Sequence, residues 1–579
     1  MTTDRRTFLK VAAGAAASAG AFAAAMYARG PARALYVRLM RPQIGPPIED
    51  PPGAEVLYNG IALPSPWPPY QRTLDRHPEE PPYLLHPPAV VPIDVGRQLF
   101  VDDFLVEECE LDRSYHAAEY VDANPVLTPA TEWDKRDEPA ERTNIPPRPS
   151  AMPFSDGVWF DPSDGQFKLW YTAGYGRATC YAESADGLAW HRPALDVVPG
   201  TNIVLNEPRD STTVWLDHEE PNPRMRFKLS MFRSDGRRLW HYASPDGIHW
   251  TPAGFGGPSG DRSTMFYNAF RKVWVHSLRQ SDDMAQNLGR HRRYYESRRF
   301  SSIAPWTQDQ AVAWVGADDL DRPRVELGTP PELYNLDCVA YESVLLGLFS
   351  MYFGDPRGRH KPNHIAVGFS RDGFHWSRPS REPFVGVSER AGDWNWTNVQ
   401  SAGGCCVVMG DWLRFYVSGR AGAPGSESAG VCSTGVATLR RDGFVSLDAT
   451  TDRLPRAAGF TPRPRSITTR PVKFSGSRLF VNAAIDGGEL RAEVIDGDGR
   501  PIDRFAASRC TPVAGDSTRA AVTWSGGASL ADLANQPVRF RFHLRGGRLY
   551  SFWVAADDRG ASRGYVAAGG PEFTGATDG

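Results

Sequence analysis

From about Asp94 to residue 450 the chain alternates apolar and polar residues in short runs, as in Gln98-Leu99-Phe100-Val101-Asp102-Asp103-Phe104-Leu105-Val106. A period of two predicts half-buried β-strands. Paired aromatic runs recur along this stretch. Val158-Trp159-Phe160 and Phe167-Lys168-Leu169-Trp170-Tyr171 flank an Asp-Gly turn. The same arrangement returns at Val214-Trp215-Leu216 with Phe227-Lys228-Leu229, and at Met265-Phe266-Tyr267 with Val273-Trp274-Val275. It returns again at Val339-Ala340-Tyr341 with Leu346-Gly347-Leu348-Phe349, and at Cys405-Cys406-Val407-Val408 with Trp412-Leu413-Arg414-Phe415-Tyr416. A marker follows several of these pairs: Ser184-Ala185-Asp186-Gly187-Leu188-Ala189-Trp190, Ser244-Pro245-Asp246-Gly247-Ile248-His249-Trp250 and Ser370-Arg371-Asp372-Gly373-Phe374-His375-Trp376. Arg441-Asp442-Gly443-Phe444 is a weaker copy. The Asp-Gly pairs begin at 186, 246, 372 and 442, and the long middle step holds two units, one unmarked near Ser301–Trp306. Five units of about sixty residues, each a four-stranded blade, predict a five-bladed β-propeller over 94–454. The strands at 94–120 are the natural partner for closing the ring.

The tail keeps the alternation without the marker, as in Leu479-Phe480-Val481-Asn482-Ala483 and Leu549-Tyr550-Ser551-Phe552-Trp553-Val554. It predicts a β-sandwich over 455–579, so the fold class is all-β. Residues 41–92 hold fifteen prolines in 52 positions, too many for a core of their own, since proline removes a backbone donor. Leu57-Tyr58-Asn59-Gly60-Ile61 and Trp67 make 41–93 an arm that docks rather than a free tether. Composition fits this reading: 41% hydrophobic, 11% aromatic, 55 Gly and 49 Pro suit short strands joined by tight turns. A net charge of −3 excludes a general polyanion-binding field, and no nucleic-acid module is present. Seven cysteines show no zinc-site spacing and no disulfide framework.

Residues 1–40 read as an address. Arg5-Arg6-Thr7-Phe8-Leu9-Lys10 precedes an Ala-rich apolar run to about Met26, and this resembles a twin-arginine signal. The resemblance implies export to the periplasm or beyond, with membrane contact only if the segment stays uncleaved. The Ser-x-Asp-Gly-x-x-Trp markers resemble the Asp boxes of sialidase propellers. Their chemistry is structural: the Asp accepts backbone N–H bonds and the Gly supplies a positive φ.

Innermost strands of a propeller converge on its axis, so polar residues just before each one are candidates to line a mouth. They are Ser155-Asp156-Gly157, Arg209-Asp210-Ser211, Asp261-Arg262-Ser263, Asn335-Leu336-Asp337 and Asn398-Val399-Gln400-Ser401. Four successive blades thus present an Asp, and such a ring concentrates negative charge in a way that is costly without a use. One carboxyl kept protonated beside an ionised one is what glycosidic-bond cleavage requires. Arg209 and Arg262 are candidates to moderate the charge or bind hydroxyls. Trp396, with Trp394, offers a stacking face, and Asn398, Gln400 and Glu342 are further binding candidates. No metal or cofactor is expected; His360 and His364, four apart in a Gly/Pro loop, are weak evidence for a ligand pair. The basic stretch Arg290-His291-Arg292-Arg293 with Arg298-Arg299 reads as a solvated edge or a contact for an anionic polysaccharide.

The propeller with its appended sandwich resembles the five-bladed hydrolases of glycoside hydrolase families 32 and 43. Asp156, before Gly-Val-Trp-Phe-Asp, matches the nucleophile Asp of the family-32 motif W-M-N-D-P-N-G, and Asp210 after Arg209 matches the R-D-P motif whose Asp stabilises the transition state. The resemblance implies a glycosidase. The third family element, an E-C motif carrying the general acid, is represented by Asp261-Arg262, with Asp337-Cys338 a rival and Glu342 a weaker one. The first motif lacks N-D-P-N, the second lacks its Pro and the third has Asp for Glu. The alternatives are a non-catalytic carbohydrate-binding propeller and an exported scaffold for protein contacts.

Overall fold

In a computed structural model of the chain, residues 54–69, 74–135, 148–281, 288–300, 305–324, 326–327, 329–356, 358–449 and 464–579 are described. The signal segment at 1–40 and the start of the arm lie outside the described residues, as does Ser301 of the unmarked unit. Packing divides the chain into a small unit, residues 1–49 with 85–87, and a large unit that holds everything below. Of the small unit, only residues 85–87 are described. The large unit is built almost wholly of strands.

Three blades are separate four-stranded antiparallel sheets. The first runs Ala151–Asp161, Gln166–Ala173, Ala178–Ser184 and Ile203–Leu205. The second runs Thr212–Leu216, Phe227–Arg233, Arg238–Ser244 and Thr251–Pro258. The third runs Thr264–Asn268, Val273–Ser281, Arg290–Ser297 and Val312–Val315. The fourth comprises Glu332–Glu342, Val344–Tyr352 and Asn363–Ser370. In the fifth, Asn398–Ser401 and Val407–Met409 both pair with Trp412–Arg420, which pairs with Cys432–Arg440. Its outer strand is Glu119–Tyr120, paired to Thr438 and Ala437, so a segment from before the first blade closes the ring.

The marker turns tie blades together. Asp186 Oδ1 accepts the N–H groups of Leu188 and Ala189, both at 2.8 Å, and Asp246 and Asp372 do the same in their turns. The carbonyls of two turns then accept from a neighbouring blade: Trp170 Nε1 donates to Gly247 O at 2.7 Å and Tyr416 Oη to Gly187 O at 2.8 Å. Gly247 has φ +80° and a Cβ there would lie 2.4 Å from the Trp170 ring. Gly247→Ala is therefore expected to cost about 2–4 kcal/mol, from backbone strain plus overpacking, read as a loss of melting temperature.

The fourth marker behaves differently. Asp442 is buried and accepts from Tyr341 Oη at 2.6 Å, Ser551 Oγ at 2.6 Å and Arg97 Nη1 at 3.1 Å, joining the propeller to the C-terminal sheet. That sheet has two layers facing across Phe540, Phe542 and Phe552; the Phe552 ring stands 5.8 Å from that of Phe540 and 5.2 Å from that of Phe542. One long strand, Arg478–Ile495, pairs along its first half with Arg548–Ala555 and along its second with Arg539–Arg545, so it passes from one layer to the other. Gln98–Leu99, Val106–Cys109, Asp112–Tyr115 and Val445–Asp448 also join this sheet, so only the last two residues of 94–120 serve the propeller ring. In return, Tyr565–Val566 adds to the innermost strand of the fourth blade. Of the arm, Tyr58 stacks on Phe270 at 4.2 Å and donates to Ser343 O at 2.6 Å, while Asn59 donates to Arg371 O at 2.9 Å.

A polar flaw lies between blades two and three. His241 and His276 are buried with ring centroids 5.3 Å apart, and none of their four nitrogens has a hydrogen-bond partner. Burial pushes His241 down to about 3, and burial plus the His241 charge pushes His276 well below the ordinary value. Both folded values lie under the unfolded one, so the unfolded chain binds more protons as pH falls. Stability is expected to hold at neutral pH and to be lost from about pH 6.5 downward. Urea unfolding across this range checks it: His276→Met should flatten the slope.

Candidate functional site

The mouth of the axis is built where the inner strands begin. In blade one the register slips between Met152 and Gly157, and the extra residues form a bulge. Phe154, Ser155 and Gly157 take φ of 28°, 70° and 128° there. Positive φ at non-glycine residues costs about 1–3 kcal/mol each and persists only where surroundings enforce it. Arg262, in the corresponding turn of blade three, has φ 56°.

These turns interlock. Asp156 Oδ2 accepts from Arg209 Nη2 at 2.6 Å, with both side chains fully buried. Arg209 Nη1 also donates to the carbonyl of Asp210 at 2.8 Å. The backbone N–H of Arg262 donates to Asp210 Oδ1 at 3.1 Å. The Arg262 guanidinium crosses to blade one, donating to Phe154 O at 3.0 Å and Ser155 Oγ at 3.1 Å, and lies 3.8 Å over the Phe154 ring. Ser155 Oγ in turn donates to Asp337 Oδ2 at 2.9 Å. The same oxygen accepts from Asn335 Nδ2 at 2.9 Å and Ser401 Oγ at 2.6 Å. Arg292 lies behind, donating Nη2 to Arg262 O at 2.9 Å and Nε to Ser277 Oγ at 2.9 Å.

Four carboxyl groups therefore meet a dense set of guanidiniums, but not equivalently. Burial raises Asp156 to about 7, against the opposing pull of Arg209 and Arg262. Burial also raises Asp337, against its hydroxyl donors and Arg262. Asp210 is raised by burial and then by the charge of Asp261, with Arg262 opposing. Asp156 and Asp337 have essentially no exposed surface, whereas Asp210 is partly exposed. Asp261 pairs with Arg279 and keeps 40% of its side chain in solvent.

Asp156, Asp210, Asp261, Asp337, Arg209 and Arg262 thus come together, but two of the four Asp residues sit deeper than a position before the strand implies. Asp337 lies inside the strand Glu332–Glu342, whose pairing begins at Glu332 with Tyr352. Five residues at about 3.3 Å each carry it well below the rim. Glu342, at the far end of this strand, is remote from the mouth. It is fully buried, accepting from Arg97 N, Arg441 Nη2 and Ser562 Oγ at 3.1, 3.1 and 2.7 Å. Asn398 and Gln400 are buried in the axial wall, where Gln400 Nε2 donates to Asn398 Oδ1 at 2.9 Å and Asn398 Nδ2 to Lys361 O at 2.6 Å. Trp396 is half-buried under the Arg359 guanidinium, 5.3 Å away. Trp394 is not a free stacking face: it fills the space that a Cβ at Gly419 or Gly435 would occupy. The basic stretch is a solvated edge only at Arg298 and Arg299, which are exposed; Arg292 is buried and Arg290 pairs with Glu332 at 2.9 Å. His360 contacts Arg420 and His364 packs on Phe353, and no group of three His, Cys, Asp or Glu suited to a metal occurs among the described residues. Tyr334, Asn335, Ser401 and Arg420 complete the mouth; Asn335 and Ser401 lay in the pre-strand segments, but nothing local marks Arg420.

No family model and no curated protein matches the chain in sequence. Solved structures superpose on it partially. An N-acetylgalactosamine deacetylase from F. plautii, in complex with blood group B trisaccharide, is 15% identical, with a TM-score of 0.35, over 55% of this chain and 97% of the other. A putative glycoside hydrolase from Bacteroides ovatus is 14% identical, with a TM-score of 0.35, over 55% and 96%. A fructofuranosidase variant from Schwanniomyces occidentalis, complexed with fructosylnystose, is 9% identical, with a TM-score of 0.31, over 73% and 98%.

Proposed function

We propose that the protein cleaves glycosidic bonds at the axial mouth, with Asp210 as general acid and Asp261, paired to Arg279, as the partner carboxyl. The observation that carries this reading is the pair itself: two carboxyls on neighbouring blades, both reached by solvent, one pushed toward its protonated form by burial and by the charge of the other. Glycoside cleavage needs one proton donor and one carboxylate around the same bond. Asp156, clamped by Arg209 and without exposed surface, acts from behind as part of the field rather than as the attacking group. The enforced positive φ at Phe154, Ser155 and Arg262 supports a mouth kept for use.

A second reading, a carbohydrate-binding propeller without turnover, is favoured by one observation: Arg262 and Phe154 are buried against each other at the mouth, and Arg262 bonds the same Ser155 Oγ that donates to Asp337. Released reducing sugar from neutral, fructan, arabinan and sulfated glycans separates the two. Release supports the hydrolase. Binding to a glycan without release supports the binder, and neither would favour a protein scaffold. The twin-arginine motif supports export to the periplasm or beyond. Seven free thiols, six of them buried, suit a chain that folds before leaving a reducing compartment.

A further inference from the structure

Four guanidiniums around the mouth reach a carboxylate: Arg209 with Asp156, Arg279 with Asp261, Arg290 with Glu332 and Arg359 with Glu389. One corner is different. Arg420, at the end of the strand Trp412–Arg420, is wholly buried. Its Nη1 lies 3.3 Å from Nε2 of His360, and its Nε and Nη2 have no hydrogen-bond partner. Its guanidinium lies 5.2 Å from the Tyr175 ring, and that of Arg148 lies 4.7 Å from the same ring. Lys361 follows His360 directly. Arg148, Tyr175 and Lys361 are half-buried, so they present the charge of this corner to solvent. Among the described residues no carboxylate forms an ion pair with Arg148, Lys361 or Arg420. The buried His360 ring feels all three cations, which together with burial hold it neutral. Arg420 also lies within the field of Asp210, so this corner and the carboxyl pair bound the same mouth.

Three cations gathered without an ion-paired carboxylate repel one another, a cost that an anion relieves when it binds. We infer that the corner formed by Arg148, Tyr175, Lys361 and the underlying Arg420 is a subsite for an anionic substituent on the glycan, a uronate carboxylate or a sulfate ester. Arg148 supplies a planar fork matched to either group, Lys361 a point charge, Tyr175 an apolar face for the sugar ring, and Arg420 a field from beneath. The inference rests on the mouth being a glycan site. It is distinct from the basic stretch at 290–299, whose buried members are already engaged.

The test is binding by the full chain to three oligosaccharides of equal length: uronate-bearing, sulfate-bearing and neutral. The charged ligands are expected to bind at least about tenfold more tightly than the neutral one, the gain of one charge-assisted contact. Arg148→Gln and Lys361→Gln are each expected to narrow that gap by weakening the charged ligands more than the neutral one. For the unmutated protein, raising ionic strength from about 0.05 to about 0.5 M should weaken only the charged ligands. Preference for uronate or for sulfate names the source of the charge. Equal binding of charged and neutral ligands, an undiminished gap in both variants, or no binding of any of the three overturns the inference. Sugar release recorded in the same samples separates it from the hydrolase reading: turnover without charge preference removes the subsite alone, and charge preference without turnover removes the hydrolase alone.

Discussion

Asp210→Asn is expected to lower turnover of a natural glycan by about a thousandfold while leaving substrate affinity and melting temperature nearly unchanged. The asparagine still accepts the Arg262 N–H that Asp210 Oδ1 accepts, so the blade-three turn keeps its anchor. What is lost is a proton. The pH profile of the native protein should carry the same signature. Burial and the charge of Asp261 raise Asp210 above the ordinary aspartate value, so activity requiring its proton extends to higher pH than that value implies and falls as the proton leaves. Arg262 opposes the rise, so a weaker cation there would carry the alkaline limb further up. A variant that lost affinity and turnover in the same proportion would instead mark Asp210 as a binding group.

Asp337→Ala is expected to do the opposite, costing about 3–5 kcal/mol of stability, because a buried charge network loses its central acceptor. Three donors from three blades, Ser155, Asn335 and Ser401, converge on one Asp337 oxygen, and Arg262 and Arg292 both lose its charge. Asp337→Asn retains an acceptor oxygen and should cost less, leaving turnover per folded molecule close to native. Thermal melting with activity measured at low temperature checks both variants. If Asp337 were the general acid, the asparagine would abolish turnover with little change in melting.

The fold was legible where its chemistry is local. An Asp–Gly turn whose carboxylate caps two following N–H groups needs only four consecutive residues, so the marker turns at 186, 246 and 372 could be read directly. The site was legible in part for the same reason: Arg209-Asp210 and Asp261-Arg262 stand beside inner strands, and their neighbours in space are neighbours in the ring. Depth was not legible. Whether Asp337 stands at the rim or inside the wall depends on where its strand starts, and that is set by pairing with Tyr352. The burial of Glu342 was not legible either, because its partners Arg97, Arg441 and Ser562 come from distant parts of the chain. Arg420 had no signal at all, since an arginine at the end of a second strand reads as an ordinary surface residue until Phe154, Tyr175 and His360 enclose it.

The central claim is that Asp210 delivers a proton to the departing sugar oxygen. The most direct measurement compares the Asp210→Asn variant on two glycosides of the same sugar, one with an alkyl leaving group and one with a nitrophenyl leaving group. An alkoxide leaves only with a proton, whereas a nitrophenolate leaves without one. The account predicts a loss of about a thousandfold on the alkyl glycoside and less than about tenfold on the nitrophenyl glycoside. Equal losses on both, or no loss on either, would contradict it.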